Sequence, residues 1–177
     1  GVGALAIPEK TYDNKPVTRI APGAFQGLTG LKNLTIHKNV AEIGEMFVDG
    51  SGVESISVVA DNAYIGSQNG ILYKKNGAIL WVSPSVSGDV RIPSGVTTVP
   101  SGMFANRNIW NVVIPDSVTE IGDGAFENCP IELAEAPANA IPYIRNDVLR
   151  SVNITSGTEL PEEAFKGCDA LEYAWFP

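Results

Sequence analysis

A short motif that recurs along the chain limits its fold more than any other feature of the sequence. Residues 109–115 read IWNVVIP, with apolar side chains at the first, fourth and sixth places. Residues 31–37 read LKNLTIH and keep this spacing, as does the segment that begins at Val53. The step from position 31 to position 53 (53 − 31) and the step from position 109 to position 131 (131 − 109) are both 22 residues. A fixed period of this length predicts a solenoid, in which each repeat forms one coil that stacks on the next.

Each place in the motif has a structural reason. Alternate side chains of a strand face opposite ways, so Leu34 and Ile36 are expected to point inward while Thr35 points outward. A proline after the strand, such as Pro115, lacks a backbone N–H and ends the pairing. The segment DGAFENC that follows is too short for a regular helix and suits one helical or 3₁₀ turn, which places Phe126 in the core.

Looser copies of the motif are found once insertions are allowed. Each copy has an apolar strand, then an apolar pair on the returning limb (the part of the coil that runs back after the strand), and then an aromatic turn. The strands of these copies contain Ile7, Ile92 and Ile154. The sequence thus predicts a single domain over residues 1–177, with about five coils and, from Leu171, the first strand of a sixth. The predicted fold class is a leucine-rich-repeat solenoid, a β/α superhelix with one parallel sheet, short helical or 3₁₀ turns and an inserted β-hairpin.

The most regular unit, residues 109–129, resembles the repeat of a known family. It reads IWNVVIPDSVTEIGDGAFENC and is similar to the unit L-x-x-I-x-I-P-x-x-V-x-x-I-x-x-x-A-F-x-x-C of the BspA-like leucine-rich repeat proteins of bacteria. The resemblance extends over almost the whole chain. It implies an extracellular or cell-surface location, and adhesion to or recognition of host proteins, matrix or other cells. Because repeat residues serve packing, it says more about fold than about function.

An insertion interrupts the repeats at about residues 60–90. Its segment GILYKKNGAILWV, residues 70–82, has two apolar arms joined by Asn76-Gly77, a dipeptide typical of two-residue hairpin turns. A shortened echo downstream is indicated by two pairs of asparagines with equal spacing, Asn62 with Asn69 and Asn139 with Asn146. Two interpretations stay open: the insertion adds a binding surface to one flank, or it only buries its own aromatic side chains.

Composition argues against several classes of protein. Twelve Lys and Arg against 20 Asp and Glu give a formal net charge of −8, and the basic stripe typical of a nucleic-acid binder is not seen. No apolar run approaches the ~18 residues of a membrane span, and residues 1–177 contain no signal-peptide pattern. Cys129 and Cys168 occupy the same slot of successive units, and we expect buried thiols, although stacked slots leave a disulfide open.

The sequence offers no set of groups for catalysis. His37 is the only histidine, and no cluster of Cys or His side chains lies near it in the sequence. Catalysis needs a nucleophile, a base and an orienting group that act together. We therefore expect no enzymatic activity, no metal site and no cofactor.

The outward face of the sheet remains as the candidate site. The expected partner-binding residues are Thr35, Ser57, Arg91, Val113, Asn153, Tyr173 and Trp175 on the repeats, and Trp81 in the insertion. Exposed aromatic side chains are typical anchors of protein interfaces. For Tyr173 and Trp175, coverage by a further coil is the other interpretation, and the simpler one.

The sequence therefore favours a non-catalytic cell-surface or secreted module that binds a macromolecule. Protein is favoured over glycan as the partner, and neither nucleic-acid binding nor membrane insertion is expected. A glycan-binding module for nutrient capture is the alternative. Aromatic platforms bordered by carboxylates would favour a glycan, whereas a broad and flat sheet would favour a protein.

Overall fold

The computed structural model describes residues 3–176, which contain 15 β-strands and two short helical segments. The strands are β1 Ala4–Ala6, β2 Arg19–Ile20, β3 Asn33–Ile36, β4 Glu42–Ile43, β5 Ser55–Val58, β6 Ile65–Gln68, β7 Ile71–Lys74, β8 Gly77–Val82, β9 Gly88–Arg91, β10 Val96–Val99, β11 Ile109–Val113, β12 Glu120–Ile121, β13 Leu133–Ala136, β14 Ser151–Ile154 and β15 Tyr173–Trp175. The helical segments are a 3₁₀ helix, Ala138–Ala140, and α1, Ile141–Ile144.

The chain divides into two compact units. The first unit comprises Gly1–Lys75 and Leu80–Ser85, and the second comprises Asn76–Ile79 and Val86–Pro177. Each is built from stacked coils with a parallel strand at the head of the coil, so the solenoid predicted from the repeat is confirmed. The assignment of residues 1–177 to a single domain stays a prediction.

In the first unit, the repeat strands form a parallel sheet in the order β1-β3-β5. Leu34 of β3 lies opposite Leu5 on one side and Ile56 on the other. Leu34 and Ile56 are buried in one cluster with Val40 and Phe47, as the inward places of the motif predict. The returning limbs form a second parallel pair, β2-β4, on which Ile20 faces the core.

In the second unit, the repeat strands form a parallel sheet in the order β9-β11-β13-β14-β15. Val112, Ala134 and Val152 lie opposite one another on successive strands and are all buried. Ala174 continues this row on β15 and is half-buried. The returning limbs β10 and β12 pair in parallel. Strand β13 is a repeat strand that the sequence analysis did not assign.

The parallel repeat strands thus form two sheets, whereas the sequence analysis predicted one. The insertion explains the difference, because its side chains bond the free edge of β5 within the first unit. The Ser67 hydroxyl accepts from the Val58 N–H at 2.9 Å, and the Ser83 hydroxyl donates to the Glu54 carbonyl at 2.6 Å. A strand edge that is capped in this way offers fewer free backbone groups to a further strand.

The inserted hairpin is present, but its two-residue turn lies at a different Asn-Gly pair from the one predicted. Strand β6 pairs antiparallel with β7, and Gln68 lies opposite Ile71 across the turn. The turn residues Asn69 and Gly70 have φ angles of 53° and 76°. Positive φ at both central residues is what a type I′ turn requires, and Asn-Gly is its preferred dipeptide.

The predicted turn at Asn76-Gly77 is wrong in its geometry. Asn76 has a positive φ of 54°, but Gly77 is the first residue of the extended strand β8. Gly77 is extended because it pairs with Val96 of β10. The Lys75 N–H donates to the Tyr64 carbonyl at 2.8 Å and therefore does not bond across a two-residue turn.

The aromatic turns of the coils are successive β-turns rather than the single helical or 3₁₀ turn that the sequence analysis expected. In residues 122–128, the Ala125 N–H donates to the Gly122 carbonyl, and the Glu127 N–H donates to the Gly124 carbonyl. Gly124 and Asn128 have φ angles of 64° and 57°, outside the negative range of a 3₁₀ helix, so these bonds between residues three apart close β-turns. They place Phe126 in the interior, where it is buried.

A buried asparagine joins two coils of the first unit. The Asn62 side chain is 1% exposed and makes four hydrogen bonds of 2.8–2.9 Å. Its amide donates to two backbone carbonyls of the coil before it, and its carbonyl accepts two N–H groups that follow it; the partners are His37, Val40, Tyr64 and Ile65. Because no polar atom of Asn62 is left unsatisfied, the insertion is attached firmly where it begins.

The counterpart of Asn62 in the second unit is Asn146. The Asn146 amide donates to the Ile131 carbonyl at 3.1 Å, and its own carbonyl accepts the Val148 N–H at 2.9 Å. Asn139, which equal spacing in the sequence matches with Asn62, lies exposed in the 3₁₀ helix instead. The echo of the insertion therefore repeats the hydrogen bonding of Asn62, but at Asn146 rather than at Asn139, the position that the sequence indicated.

Candidate binding face

The outward face of the five-stranded sheet in the second unit carries the candidate site. Strand pairing arranges its side chains in two rows that cross all five strands. The first row is Arg91, Val113, Glu135, Asn153 and Trp175, and the second row is Asp89, Asn111, Leu133, Ser151 and Tyr173. With neighbouring strands about 4.8 Å apart, each row spans roughly 19 Å.

Five residues expected from the sequence to bind a partner are brought together on this face. They are Arg91, Val113, Asn153, Tyr173 and Trp175. Val113 is half-buried, and the other four are exposed. The face therefore gathers side chains from distant parts of the chain on one surface.

The most prominent feature of the face is an aromatic pair on β15. The Tyr173 and Trp175 rings are stacked, with centroids 5.6 Å apart and planes inclined by 14°. Tyr173 is 57% exposed and Trp175 is 53% exposed. Leu133, another exposed apolar side chain, lies two strands from Tyr173 in the second row. Because each ring covers one side of the other, the pair presents a compact apolar ridge rather than two open plates.

The polar neighbours of the aromatic pair are neutral. On β14, Ser151 lies opposite Tyr173, and Asn153 lies opposite Trp175. Glu135 follows one strand further from Trp175. On the neighbouring strand β14, the aromatic pair is therefore bordered by a hydroxyl and an amide.

A row of charges runs beside the aromatic pair, one residue before the second row. The Arg150 guanidinium lies 3.8 Å from the Glu132 carboxylate and 3.4 Å from the Glu172 carboxylate. All three side chains are more than half exposed, so each ion pair stabilises the unit by less than about 1 kcal/mol. One guanidinium between two carboxylates leaves this row with a formal charge of −1, and the second row beside it contains one charged side chain, Asp89.

Two further predicted residues, Thr35 and Ser57, lie opposite each other on the sheet face of the first unit. Their hydroxyl oxygens are 3.2 Å apart, and beside them the Ser55 hydroxyl donates to the Asn33 side-chain carbonyl at 2.7 Å. These short side chains satisfy one another. The first unit therefore offers a small polar face without an aromatic side chain among its paired residues.

Trp81 lies in the insertion rather than on a repeat strand. It is half-buried on β8 and packs against the core of the first unit. It also lines a groove of about 310 Å³ with Met46, Val48 and Pro84. The packing interpretation of this aromatic side chain thus has direct structural support, and a role in binding stays a prediction.

The remaining reactive side chains are isolated from one another. Nδ1 of His37 lies 3.5 Å from the Glu9 carboxylate, a partner that the sequence did not indicate. Within residues 3–176, no group of three or more His, Cys, Asp or Glu side chains is arranged to hold a metal ion.

The two cysteines are free thiols. Burial raises the pKa of both thiols, that of Cys129 and that of Cys168. The Cys129 thiol donates to the Phe104 carbonyl at 3.0 Å. Cys129 is buried and Cys168 half-buried, so the expectation of buried thiols is met fully only at Cys129.

Stacked coils, each with a parallel strand and a short aromatic turn, define the class of leucine-rich repeat proteins. A model of the BspA type leucine rich repeat region, in six copies, matches residues 7–70 and 85–177. The chain therefore belongs to the BspA-type leucine-rich repeat family, which confirms the resemblance seen in the sequence. The interval 71–84, between the two matched ranges, contains β7 and β8 of the insertion.

Solved structures of bacterial leucine-rich repeat proteins share this fold. A leucine-rich repeat protein from Bacteroides ovatus is 21% identical, with a TM-score of 0.51 and coverage of 98% of this chain and 45% of that one. One from Eubacterium ventriosum is 20% identical, with a TM-score of 0.50 and coverage of 92% and 59%. A leucine rich cell surface protein from Faecalibacterium prausnitzii is 23% identical, with a TM-score of 0.49 and coverage of 97% and 59%.

The chain thus spans 45–59% of the length of these proteins. At identities of 20–21%, the likeness to the first two shows the fold alone. No curated protein matches the chain. No helix among residues 3–176 has the length and apolar character needed to cross a membrane.

Glu135 and Leu133 belong to the face but were missed in the sequence. Both lie on β13, whose sequence LAEA places only alanines inward and so lacks the large apolar residues of the motif. The 22-residue period was the available signal, because Ala134 lies one period after Val112 and pairs with it.

Proposed function

We propose that this chain is a non-catalytic binding module, displayed on or secreted from a bacterial cell, that holds a protein partner on the two rows of the second unit. The observation that carries the proposal is the stacked pair of Tyr173 and Trp175 on a sheet face five strands wide. Large aromatic side chains dominate the binding energy of protein interfaces, and neighbouring small polar contacts exclude water from them.

The geometry of the face favours a protein over a glycan. The rows span roughly 19 Å and present charged, neutral and apolar side chains side by side, as the surface of a protein partner does. A glycan site often presents open ring faces with hydrogen-bonding side chains beside them, carboxylates among these. The Tyr173 and Trp175 rings cover each other on one side, and their direct neighbours are Ser151 and Asn153.

Charge on the face is mixed and supports specificity. Arg91 lies at one end of the first row, beside Asp89 of the same strand, and Glu135 lies near the middle. Charges of both signs at fixed places reject partners with like charges opposite them, while the aromatic pair supplies most of the affinity.

The cellular location in the proposal comes from the family and from one similar protein. BspA-type repeats occur in bacterial surface proteins, and the Faecalibacterium prausnitzii structure is named a cell surface protein. Adhesion to host or matrix proteins, or to other cells, is the role that such a location and a protein-binding face support together.

Thr35, Ser57 and Trp81 have a secondary place in the proposal. The two hydroxyls already bond each other, and Trp81 packs on the core of the first unit. We expect their replacement to weaken partner binding less than replacement of the aromatic pair.

Glycan binding for nutrient capture is the second candidate. It is favoured by one observation, the exposed aromatic pair with the Asn153 amide and the Ser151 hydroxyl directly beside it. Sugars commonly combine stacking on a ring with hydrogen bonds to such groups.

The test measures binding of the chain to a panel of purified extracellular-matrix proteins by surface plasmon resonance, with a glycan array in parallel. We expect saturable binding to a protein, weakened at least about tenfold in the double variant Tyr173→Ala/Trp175→Ala. Tyr12→Ala removes a fully exposed ring from a loop of the first unit and serves as the matched control.

Each other outcome has a clear meaning. Unchanged protein binding in the double variant would remove the proposed face, and binding to glycans alone would favour the second candidate. A panel of hydrolase substrates tests the non-catalytic part of the proposal. Turnover that one polar substitution abolishes would contradict it.

A further inference from the structure

We propose that a groove on the second unit recognises a basic peptide segment, whose Arg or Lys side chain binds between Glu127 and Asp147. The groove has a volume of about 780 Å³ and is lined by two segments, within residues 124–130 and 142–148. None of its lining residues belongs to the two rows of the sheet face. The site is therefore additional to the face proposed above and does not depend on it.

One side of the groove is formed by α1 and the residues after it. Ile141 and Ile144 are buried in the core, which holds the helix in place and leaves Tyr143 at the groove. Tyr143 is 38% exposed, and Val148 beyond it is exposed as well. Pro130 lines the groove from the other segment. These side chains form apolar walls that suit the methylene stem of a long side chain.

Most polar side chains of the groove are already occupied. The Asn128 amide donates to the Asn106 side-chain carbonyl at 2.9 Å. The Asn146 amide bonds backbone carbonyls of its own unit, among them that of Ile131. The Arg145 guanidinium donates to the Glu163 carbonyl. None of these groups is fully free to bind a ligand.

Two carboxylates and one hydroxyl remain. Within residues 3–176, the side chains of Glu127, Asp147 and Tyr143 form no hydrogen bond and no ion pair, although all three line the groove. Carboxylates only accept hydrogen bonds at neutral pH. The groove thus presents free acceptors, and a complementary ligand must bring donors.

Charge distinguishes a basic peptide from a neutral sugar. The charged side chains that line the groove are Glu127, Asp147 and Arg145, with a formal sum of −1, and the chain as a whole carries −8. A guanidinium or ammonium group would form charge-assisted hydrogen bonds to the carboxylates and a cation–π contact with Tyr143. A neutral sugar would supply donors but no opposite charge.

The size of the groove fits a short segment of chain. Its volume lies within the range of about 300–1,000 Å³ that is typical of ligand sites. An Arg side chain with one apolar residue on each side would fill it. The proposal is therefore a local peptide-recognition site, with one cation as its centre.

The test is an NMR titration of the uniformly ¹⁵N-labelled chain with the peptide acetyl-Val-Arg-Val-Gly-amide. Its control is the same peptide with citrulline, which keeps the shape of arginine without the charge. We expect saturable shifts at the amides of residues 127–128 and 143–148, with a Kd on the order of 1 mM, and little effect of the citrulline peptide. Raising the salt concentration should weaken binding.

Variants of the chain connect the shifts to the carboxylates. Glu127→Gln and Asp147→Asn should each weaken binding about tenfold, because each removes one charge-assisted hydrogen bond. Asp123→Asn is the matched control, since Asp123 is exposed on the same turn but does not line the groove. The double variant of Tyr173 and Trp175 should bind the peptide as the wild type does.

Several results would overturn the proposal. The first is that no saturable shifts occur up to roughly 10 mM peptide. The second is that the citrulline peptide binds as tightly as the arginine peptide. The third is that Asp123→Asn weakens binding as much as Glu127→Gln or Asp147→Asn does. Stronger binding of cellobiose than of the arginine peptide would assign the groove to glycans instead. The amide spectrum of each variant reports whether it is folded, so loss of binding is not confused with loss of structure.

Discussion

The Phe104 and Phe126 rings stack face to face in the second unit, with centroids 5.1 Å apart and planes inclined by only 2°. The two residues occupy the same slot of successive coils, 22 positions apart in the sequence (126 − 104). Phe104 is fully buried and Phe126 is 4% exposed. Each ring therefore covers the core of its neighbouring coil, which is how coils with half a core stabilise one another.

Replacing Phe126 with Ala should lower the free energy of unfolding by about 3–5 kcal/mol, because it removes a buried ring and leaves a cavity against Phe104. Chemical denaturation followed by circular dichroism measures the change. Thr35→Ala is the comparison: it removes an exposed hydroxyl and should change stability by less than about 0.5 kcal/mol. Similar losses in the two variants would contradict the stacked-core arrangement.

Replacing Asn62 with Ala should lower the free energy of unfolding by about 3 kcal/mol, because it leaves two buried and two partly buried backbone groups without their partner. Thermal and urea unfolding give the value. Asn33→Ala, on the exposed face of β3, should cost less than about 1 kcal/mol. A loss of stability in Asn62→Ala as small as that in Asn33→Ala would contradict the prediction. It would mean that water takes over the hydrogen bonds of the Asn62 side chain.

Replacing Gly70 with Ala should destabilise the first unit by about 1–2 kcal/mol, since its φ of 76° is unfavourable for a residue with a Cβ atom. Gly30 is the matched control, because an added Cβ would meet nothing within 4 Å there. Urea denaturation compares the two variants. A Gly30→Ala loss as large as that of Gly70→Ala would argue against the type I′ turn.

Asp116 makes a pH-dependent contribution to stability. The Thr155 hydroxyl donates to its carboxylate at 2.6 Å and the Ser156 hydroxyl at 2.8 Å, and these hydrogen bonds lower the pKa of Asp116. A folded-state pKa below the unfolded-state value means that the contribution is fully present above the unfolded-state pKa, near about 4. It is lost as the pH falls through the folded-state pKa.

The double variant Thr155→Val/Ser156→Ala should therefore raise the pKa of Asp116 toward its ordinary value, which a carboxyl NMR titration measures. The stability difference between wild type and variant should be largest at neutral pH and should narrow below about pH 4. Thr158→Val, on the same loop, should leave the pKa of Asp116 unchanged. A difference that stayed constant across this pH range would contradict the assignment to Asp116.

Much of the fold was predictable because its signals are local. The alternation of a strand and the 22-residue period placed Leu34 and Val112 inward and Asn153 outward, with no knowledge of distant contacts. The same period and the aromatic turn led to the family. These features depend only on residues within one repeat, so a sequence carries them in full.

The two Asn-Gly pairs mark the limit of local signals. As dipeptides they are identical, and each lies where one strand of the insertion ends and the next begins. Only Asn69-Gly70 forms the two-residue turn, because Gly77 is drawn into an extended strand by pairing with β10. Local preference permits both turns, and the competing strand partner decides between them.

The sequence by itself determined the repeat, the inward and outward places of the regular strands, and the family. Only the tertiary structure decided that β13 is a repeat strand that carries Glu135 and Leu133 to the face, since its alanines are weak signals until β11 and β14 pair on either side. It also decided which carboxylates lack a partner. The physical reason is that hydrogen bonds between coils join residues about 15 to 40 positions apart, and such contacts depend on the folded backbone.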